Sequence, residues 1–178
     1  LRVVSWFGGK PVILRAFGGS LDLFYERSGW WLRPLFRLVF SNSLVLLETK
    51  HLVEFFQHRF PSAEIYRLPN CRAVAVGFNV DDSRNGRFVF VGHVSAAKGI
   101  MTLIEMLRSN ADSRLEVDVI GPLTDGFQEE VLCGVPGLNY LGEIPPEAVA
   151  ECLGRYEALV LPTSYEGEGY PGVILEAY

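Results

Sequence analysis

Apolar residues recur along this chain in two rhythms. Short, nearly continuous apolar runs occur at 11–17 (PVILRAF), 43–49 (SLVLLET), 63–68 (AEIYRL), 87–92 (RFVFVG), 115–121 (LEVDVIG) and 157–162 (EALVLP). Their length and β-branched content predict strands buried on both faces, with a further short strand at 139–143 (NYLGE). Between them the period lengthens to that of a helix. Over 50–60 it places Leu52, Phe55, Phe56 and Phe60 on one face, and over 98–109 it does the same for Ile100, Leu103, Ile104 and Leu107. Pro34 opens a helical stretch at 33–40, Pro145 and Pro146 open one at 145–156, and Pro171 opens one at 171–178 (PGVILEAY). At a first helical position the missing N–H of proline costs nothing. Leu1 to Phe7 is apolar and ends at Gly8-Gly9; Gly18-Gly19 and Pro69-Asn70 punctuate later turns.

Alternating strands and helices, with strands apolar on both sides, predict the α/β class: parallel sheets covered by helices. The stretch 77–86 (GFNVDDSRNG) is polar, turn-rich and aperiodic. It divides the chain into a domain at 1–80, a linker at 81–86 and a second domain at 87–178. In such sheets ligands sit at the carboxyl ends of the strands, so the strand-to-helix junctions are the places to look for chemistry.

Composition narrows the class. The chain has 178 residues, 49% hydrophobic and 21% charged, which fits a globular protein. A net charge of -5 argues against non-specific binding of nucleic acid. Cys71, Cys133 and Cys152 form an odd set without metal-ligand spacing, as expected of reduced thiols in a cytoplasmic protein. No apolar run reaches the roughly 20 residues of a membrane span, and Arg2 with its short apolar run does not read as a signal peptide. The opening on Leu1 and the stop at Tyr178, inside a helix start, lead us to expect a fragment.

Two junctions carry candidate chemistry. In 89–103 (VFVGHVSAAKGIMTL) a strand ends at Gly92, His93 follows, and Lys98-Gly99 precede a helix. Glycine lets backbone N–H groups approach an anion, a helix N-terminus adds partial positive charge, and Lys98 adds a cation: together a cradle for phosphate oxygens. The plainer reading is an ordinary connection with a solvated lysine. In 164–178 (SYEGEGYPGVILEAY) Glu168 lies just before a helix start and Glu176 about one turn inside it. The N–H groups of Gly172 and Val173 stand at that opening. Acceptors and donors side by side suit a ligand with both hydroxyls and phosphates. The plainer reading is two surface carboxylates, although Glu176, in an apolar helix, needs a partner, for which a sugar diol is one candidate.

These residues carry a resemblance. GHVSAAKG followed by EGYPGVILEA, with strand–helix alternation between, resembles the retaining family 4 glycosyltransferases of GT-B fold. The 67–74 (RLPNCRAV) and 9–22 (GKPVILRAFGGSLD) stretches resemble parts of that family's first domain, so the likeness covers nearly the whole chain. The resemblance implies two Rossmann-like parallel-sheet domains, both incomplete here: the back of an acceptor domain and the front of a donor domain. It implies transfer of a sugar, with retention, from a UDP- or GDP-linked donor to a glycan or lipid-linked acceptor in polysaccharide or glycolipid synthesis. Glu168 and Glu176 fit the family's spacing of Glu, seven residues, Glu. By that match Glu176 accepts the ribose hydroxyls and Glu168 contacts the transferred sugar. The backbone of Gly169, Tyr170, Pro171 and Gly172 lies against sugar and diphosphate. Gly92, His93, Lys98 and Gly99 match the basic loop, with Lys98 neutralising the leaving diphosphate. Catalytic roles thus fall to Lys98 and Glu168, with no metal and no cofactor, since no Asp-x-Asp pair ends a strand and Asp81-Asp82 lies in the linker.

The sequence departs from the family at three places. His93 stands where arginine is usual, Cys71 where glycine is common, and Tyr170-Pro171 where Phe-Gly is usual. Histidine carries only part of a charge near neutral pH, so leaving-group stabilisation leans on Lys98. The rivals are a sugar-nucleotide epimerase, a glycan phosphorylase, a non-catalytic nucleotide-sugar-binding relative, and a glycoside hydrolase built on the paired carboxylates.

One stretch stands apart from this chemistry. In 27–40 (RSGWWLRPLFRLVF) Arg27, Arg33 and Arg37 interleave with Trp30, Trp31, Phe36 and Phe40. Basic-aromatic segments rest on anionic membranes, and the likeness to enzymes of lipid-linked acceptors suggests peripheral contact with the inner leaflet. A packing helix with a solvated arginine edge is the simpler reading, because apolar residues extend all around it.

Overall fold

The computed structural model describes residues 12–72, 86–165 and 167–178. It divides into two compact units, one of Leu1–Cys71 with Glu166–Pro171, the other of Arg72–Tyr165 with Gly172–Tyr178. Leu1 to Gly9, Asp81-Asp82 and all of the expected linker except Gly86 lie outside the described residues.

In the first unit the elements run β1 (Ile13–Ala16), α1 (Leu21–Arg27), α2 (Arg33–Phe40), β2 (Leu44–Leu47), α3 (Lys50–Arg59) and β3 (Glu64–Arg67). The three strands form one sheet in the order β1-β2-β3, parallel throughout. The central strand buries Val45 and Leu47 completely. Thr49 caps α3 by accepting a hydrogen bond from the Leu52 N–H (3.2 Å), which satisfies one of the donors a helix start leaves open. Leu52, Phe56 and Phe60 of the expected face are buried, with Phe55 packed at its edge. They meet Phe40 and Phe36 of α2 and Tyr25 of α1 in an aromatic cluster, with Phe40 and Phe56 ring centres 4.8 Å apart. α1 is not among the expected elements; it is two turns long and follows a Gly-Gly turn, too short for periodicity to reveal.

The second unit runs β4 (Arg87–Val91), α4 (Ile100–Ser109), β5 (Glu116–Ile120), α5 (Glu129–Leu132), β6 (Leu138–Gly142), α6 (Pro146–Leu153), β7 (Ala158–Leu159) and α7 (Gly172–Ala177). Its sheet, ordered β6-β5-β4-β7, is again all parallel. Side chains alternate across β4: Phe90 joins Ile100, Leu103, Ile104 and Leu107 of α4 on one face, while Val89 and Val91 join Leu153 of α6 on the other. The sheet is therefore covered on both sides at β4, which explains why that strand reads as a continuous apolar run. α5 is a single four-residue turn, below what sequence periodicity can register.

One polar cluster interrupts this core. Asp118 of β5 is buried and accepts from Arg87 (2.6 Å), Asn139 (3.0 Å) and the Tyr156 hydroxyl (2.8 Å). Burial, and then Asp118 itself, push the Tyr156 phenol far above its ordinary pKa. Three donors converge on one buried carboxylate, so the cluster works as a structural tie between β4, β5, β6 and the chain entering β7.

Candidate functional site

In the second unit the expected junctions lie at the carboxyl ends of neighbouring strands β4 and β7. β4 is followed by Gly92, whose carbonyl lies where a side chain on Gly121 would have to go. Two glycines back to back thus let the ends of β4 and β5 close tightly. His93 is exposed, and Val94 is bridged to Leu123. The chain then tightens into a turn: the buried Ser95 hydroxyl accepts from the Lys98 N–H (3.2 Å), and the Gly99 N–H donates to the Ala96 carbonyl (2.9 Å). Gly99 is left-handed (φ 84°) and caps α4, so the helix proper begins at Ile100, two residues beyond Lys98.

The chain leaving β7 packs directly on this turn. Ser164 N–H donates to the Ala97 carbonyl (3.0 Å), and the Pro162 carbonyl occupies the space a Gly99 side chain would need. The Lys98 ammonium lies 5.3 Å from the centre of the Tyr165 ring, within cation–π reach. α7 starts at Gly172, one residue after Pro171, and packs on α6 with Val173 against the Leu153 cluster. Glu176 is partly buried and accepts from the Arg72 guanidinium at 2.6 Å. That same guanidinium lies against Gly172, where any side chain would collide with it. The carboxylate that needed a partner therefore has one in the chain itself, and the sequence reading missed Arg72.

The remaining site residues belong to the first unit. Gly167 is buried, Glu168 and Gly169 are half-buried, and Tyr170 is exposed. This short segment is held at several points. The Gly19 N–H donates to the Gly167 carbonyl (2.9 Å), and a side chain on Gly19 would stand 2.5 Å from the Glu168 carbonyl. Tyr170 donates its N–H to Glu48 (2.6 Å), its carbonyl accepts from Asn70 (3.0 Å), and its hydroxyl accepts from Arg67 (2.9 Å).

Glu48, which sequence reasoning passed over, organises this unit's end of the arrangement. Its side chain is buried, with the residue only 4% exposed, directly after β2. One carboxylate oxygen accepts from the Gly18 N–H (2.7 Å) and the other from the Tyr170 N–H (2.6 Å). Gly169 passes so close that a side chain there would meet the carboxylate at 2.8 Å. A signal was present: Glu48 closes the otherwise apolar run 43–48, and a buried carboxylate requires donors. What the sequence did not supply was their source, two backbone amides 30 and 122 residues away.

Among the described residues no three His, Cys, Asp or Glu side chains gather as a metal site would need. Cys71 and Cys133 are exposed and Cys152 is half-buried; among the described residues none of the three is in a disulfide.

Comparison with known proteins agrees with this architecture. The family model described as Glycosyl transferases group 1 matches residues 85–178. No curated protein matches the chain in sequence. Among solved structures, the pneumococcal O-GlcNAc transferase GtfA in complex with UDP and GlcNAc is similar over 98% of this chain and 37% of its own, at 14% identity and a TM-score of 0.70. A variant of S. aureus TarM in complex with Fondaparinux, alpha-GlcNAc-glycerol and UDP is similar over 75% of this chain and 27% of its own, at 16% identity and TM-score 0.55. A further TarM structure is similar over 82% and 29%, at 15% identity and TM-score 0.59. At these identities the likeness speaks for the fold, the α/β parallel-sheet architecture of GT-B glycosyltransferases, of which this chain spans roughly a third.

Proposed function

Because this chain belongs to the glycosyl transferases group 1 family, we propose that its protein transfers a sugar, with retention, from a UDP- or GDP-linked donor to a glycan or lipid-linked acceptor. The solved relatives GtfA and TarM, with UDP bound, support a nucleotide-linked donor. The observation that carries the reading is the joining of two loops within the second unit. The turn bearing Lys98 is hydrogen-bonded, through Ala97, to the segment that leads from β7 into the Glu168–Glu176 motif.

In this reading the hard step is charge accumulating on the leaving diphosphate. Lys98 and the N-terminal amides of α4 meet that charge as fixed donors, without a metal ion. His93 adds a donor that is charged only in part near neutral pH. Glu176 accepts the two ribose hydroxyls and shares its charge with Arg72. Glu168 contacts the transferred sugar, and Gly169 to Gly172 present backbone rather than side chains to it. The protein acts in the cytoplasm as a hexosyltransferase of polysaccharide or glycolipid synthesis.

Calorimetric titration of the full-length protein with UDP, GDP and their sugar derivatives tests this. One base binds, and Glu176→Ala weakens that binding by about 1–3 kcal/mol, the range expected when buried polar groups lose a partner. No nucleotide binding, or binding indifferent to Glu176, removes the transferase reading and leaves the fold in place. The anomeric configuration of the product, read by NMR, tests retention separately.

A further inference from the structure

The 27–40 segment, which plays no part in the donor chemistry, has a distinct surface. α2 does pack into the core, but only by one side: Phe40 is buried and Phe36 and Val39 lie against the same cluster. The other side is apolar as well and is exposed among the described residues. Trp30 is 84% exposed, Trp31 67%, Leu38 56% and Leu35 51%. Leu35 and Leu38 are one turn apart on the helix, and Trp31 lies a further turn back, in the tight turn closed by the Leu32 N–H on the Gly29 carbonyl (3.0 Å). Arg27, Arg33 and Arg37 are all exposed beside these residues. The one acidic side chain exposed in the segment from Phe24 to Phe40, Glu26, is already paired with Arg59 (3.2 Å). A chain of net charge -5 thus gathers three exposed arginines around two exposed tryptophans.

We propose that this face docks on an anionic lipid surface, with Trp30, Trp31, Leu35 and Leu38 entering the headgroup region and Arg27, Arg33 and Arg37 meeting lipid phosphates. Tryptophan is suited to that depth because its ring is apolar and its indole N–H can reach water. Arginine lays its aliphatic stem along apolar surface while the guanidinium stays with the phosphates. A second copy of the chain is a poorer occupant. A two-fold contact would set the same patch against itself and face arginine with arginine. The surface does not depend on the transferase reading, since none of its residues belongs to the proposed donor site.

The experiment uses the full-length protein with Trp6→Phe as background. The emission of a Trp30→Phe, Trp31→Phe protein on the same background is subtracted, so that the difference spectrum reports Trp30 and Trp31. Vesicles of phosphatidylcholine mixed with phosphatidylglycerol are added, and both the emission maximum and co-sedimentation are followed. The expected result is a blue shift and binding that rise with the anionic fraction and fall with salt. Arg33→Gln and Arg37→Gln each weaken binding about five-fold, and Trp30→Ser with Trp31→Ser abolishes it. All four positions are exposed, so the fold tolerates these changes. Binding to pure phosphatidylcholine as strong as to the mixture overturns the proposal, as does the absence of any shift or indifference to the substitutions. Light scattering gives a further arm: a self-associated protein that becomes monomeric in the tryptophan variant, without vesicle binding, assigns the face to a second copy instead. Nucleotide titration without vesicles is unchanged in these variants, which separates failure here from failure of the donor site.

Discussion

At the scale of single residues, Glu48 holds two backbone amides that lie far apart in the sequence. A carboxylate withdrawn from water must be repaid in hydrogen bonds, and Glu48 receives two short ones from the Gly18 and Tyr170 amides. Replacing it with alanine strands both donors. The expected cost is about 1–3 kcal/mol, with faster hydrogen–deuterium exchange at those two amides. Glu48→Gln keeps an acceptor for one amide only and falls between. Unchanged exchange in Glu48→Ala would mean that other groups hold the loop. Glu168, Glu176, Lys98 and the glycines around them were nominated from local features alone, spacing and residue type. Glu48 and Arg72 were not, because their meaning lies in partners brought up by tertiary packing. Glu176 shows the difference within one residue. Its need for a partner could be read from the apolar helix around it, while the identity of that partner, Arg72, could not.

At the scale of elements, the strong periodic signals match the structure. Ile100, Leu103, Ile104 and Leu107 are buried as the helical spacing requires, and the apolar runs at 43–49, 87–92 and 115–121 hold β2, β4 and β5. The misses are the elements too short for a period to show, α1 and α5, and the length of β7. The apolar run 157–162 forms only two residues of regular strand, since Pro162 has no N–H to donate to a ladder. The turn before α4 depends on a feature that periodicity ignores. Gly99 combines a left-handed backbone with contact against the Pro162 carbonyl, whereas Gly126 is left-handed (φ 77°) with open space around it. Gly126→Ala therefore pays only the conformational cost, about 1–2 kcal/mol. Gly99→Ala adds the displacement of Pro162 and lowers the melting temperature further. Equal losses in the two variants would show that the strand end yields without penalty.

At the scale of the whole molecule, two parallel sheets were readable from the alternation of strands and helices, because the inner strands β2, β4 and β5 are largely buried. The family was readable too, from two short motifs in the right order. The division into units follows a logic that sequence order hides: 166–171 belongs with residues up to Cys71, although it lies about a hundred residues further along. The polar stretch 77–86 marks a place where the chain changes character, and it carries no sign of that return. The same return imposes a constraint on the history of the protein. Because Gly169 leaves no room for a side chain against the Glu48 carboxylate, positions 48 and 169 are not free to drift separately. Across homologues, glycine at 169 should accompany glutamate at 48. Lineages that have shortened residue 48 should be those in which 169 has gained a side chain, and a set of sequences in which the two vary independently would refute the pairing.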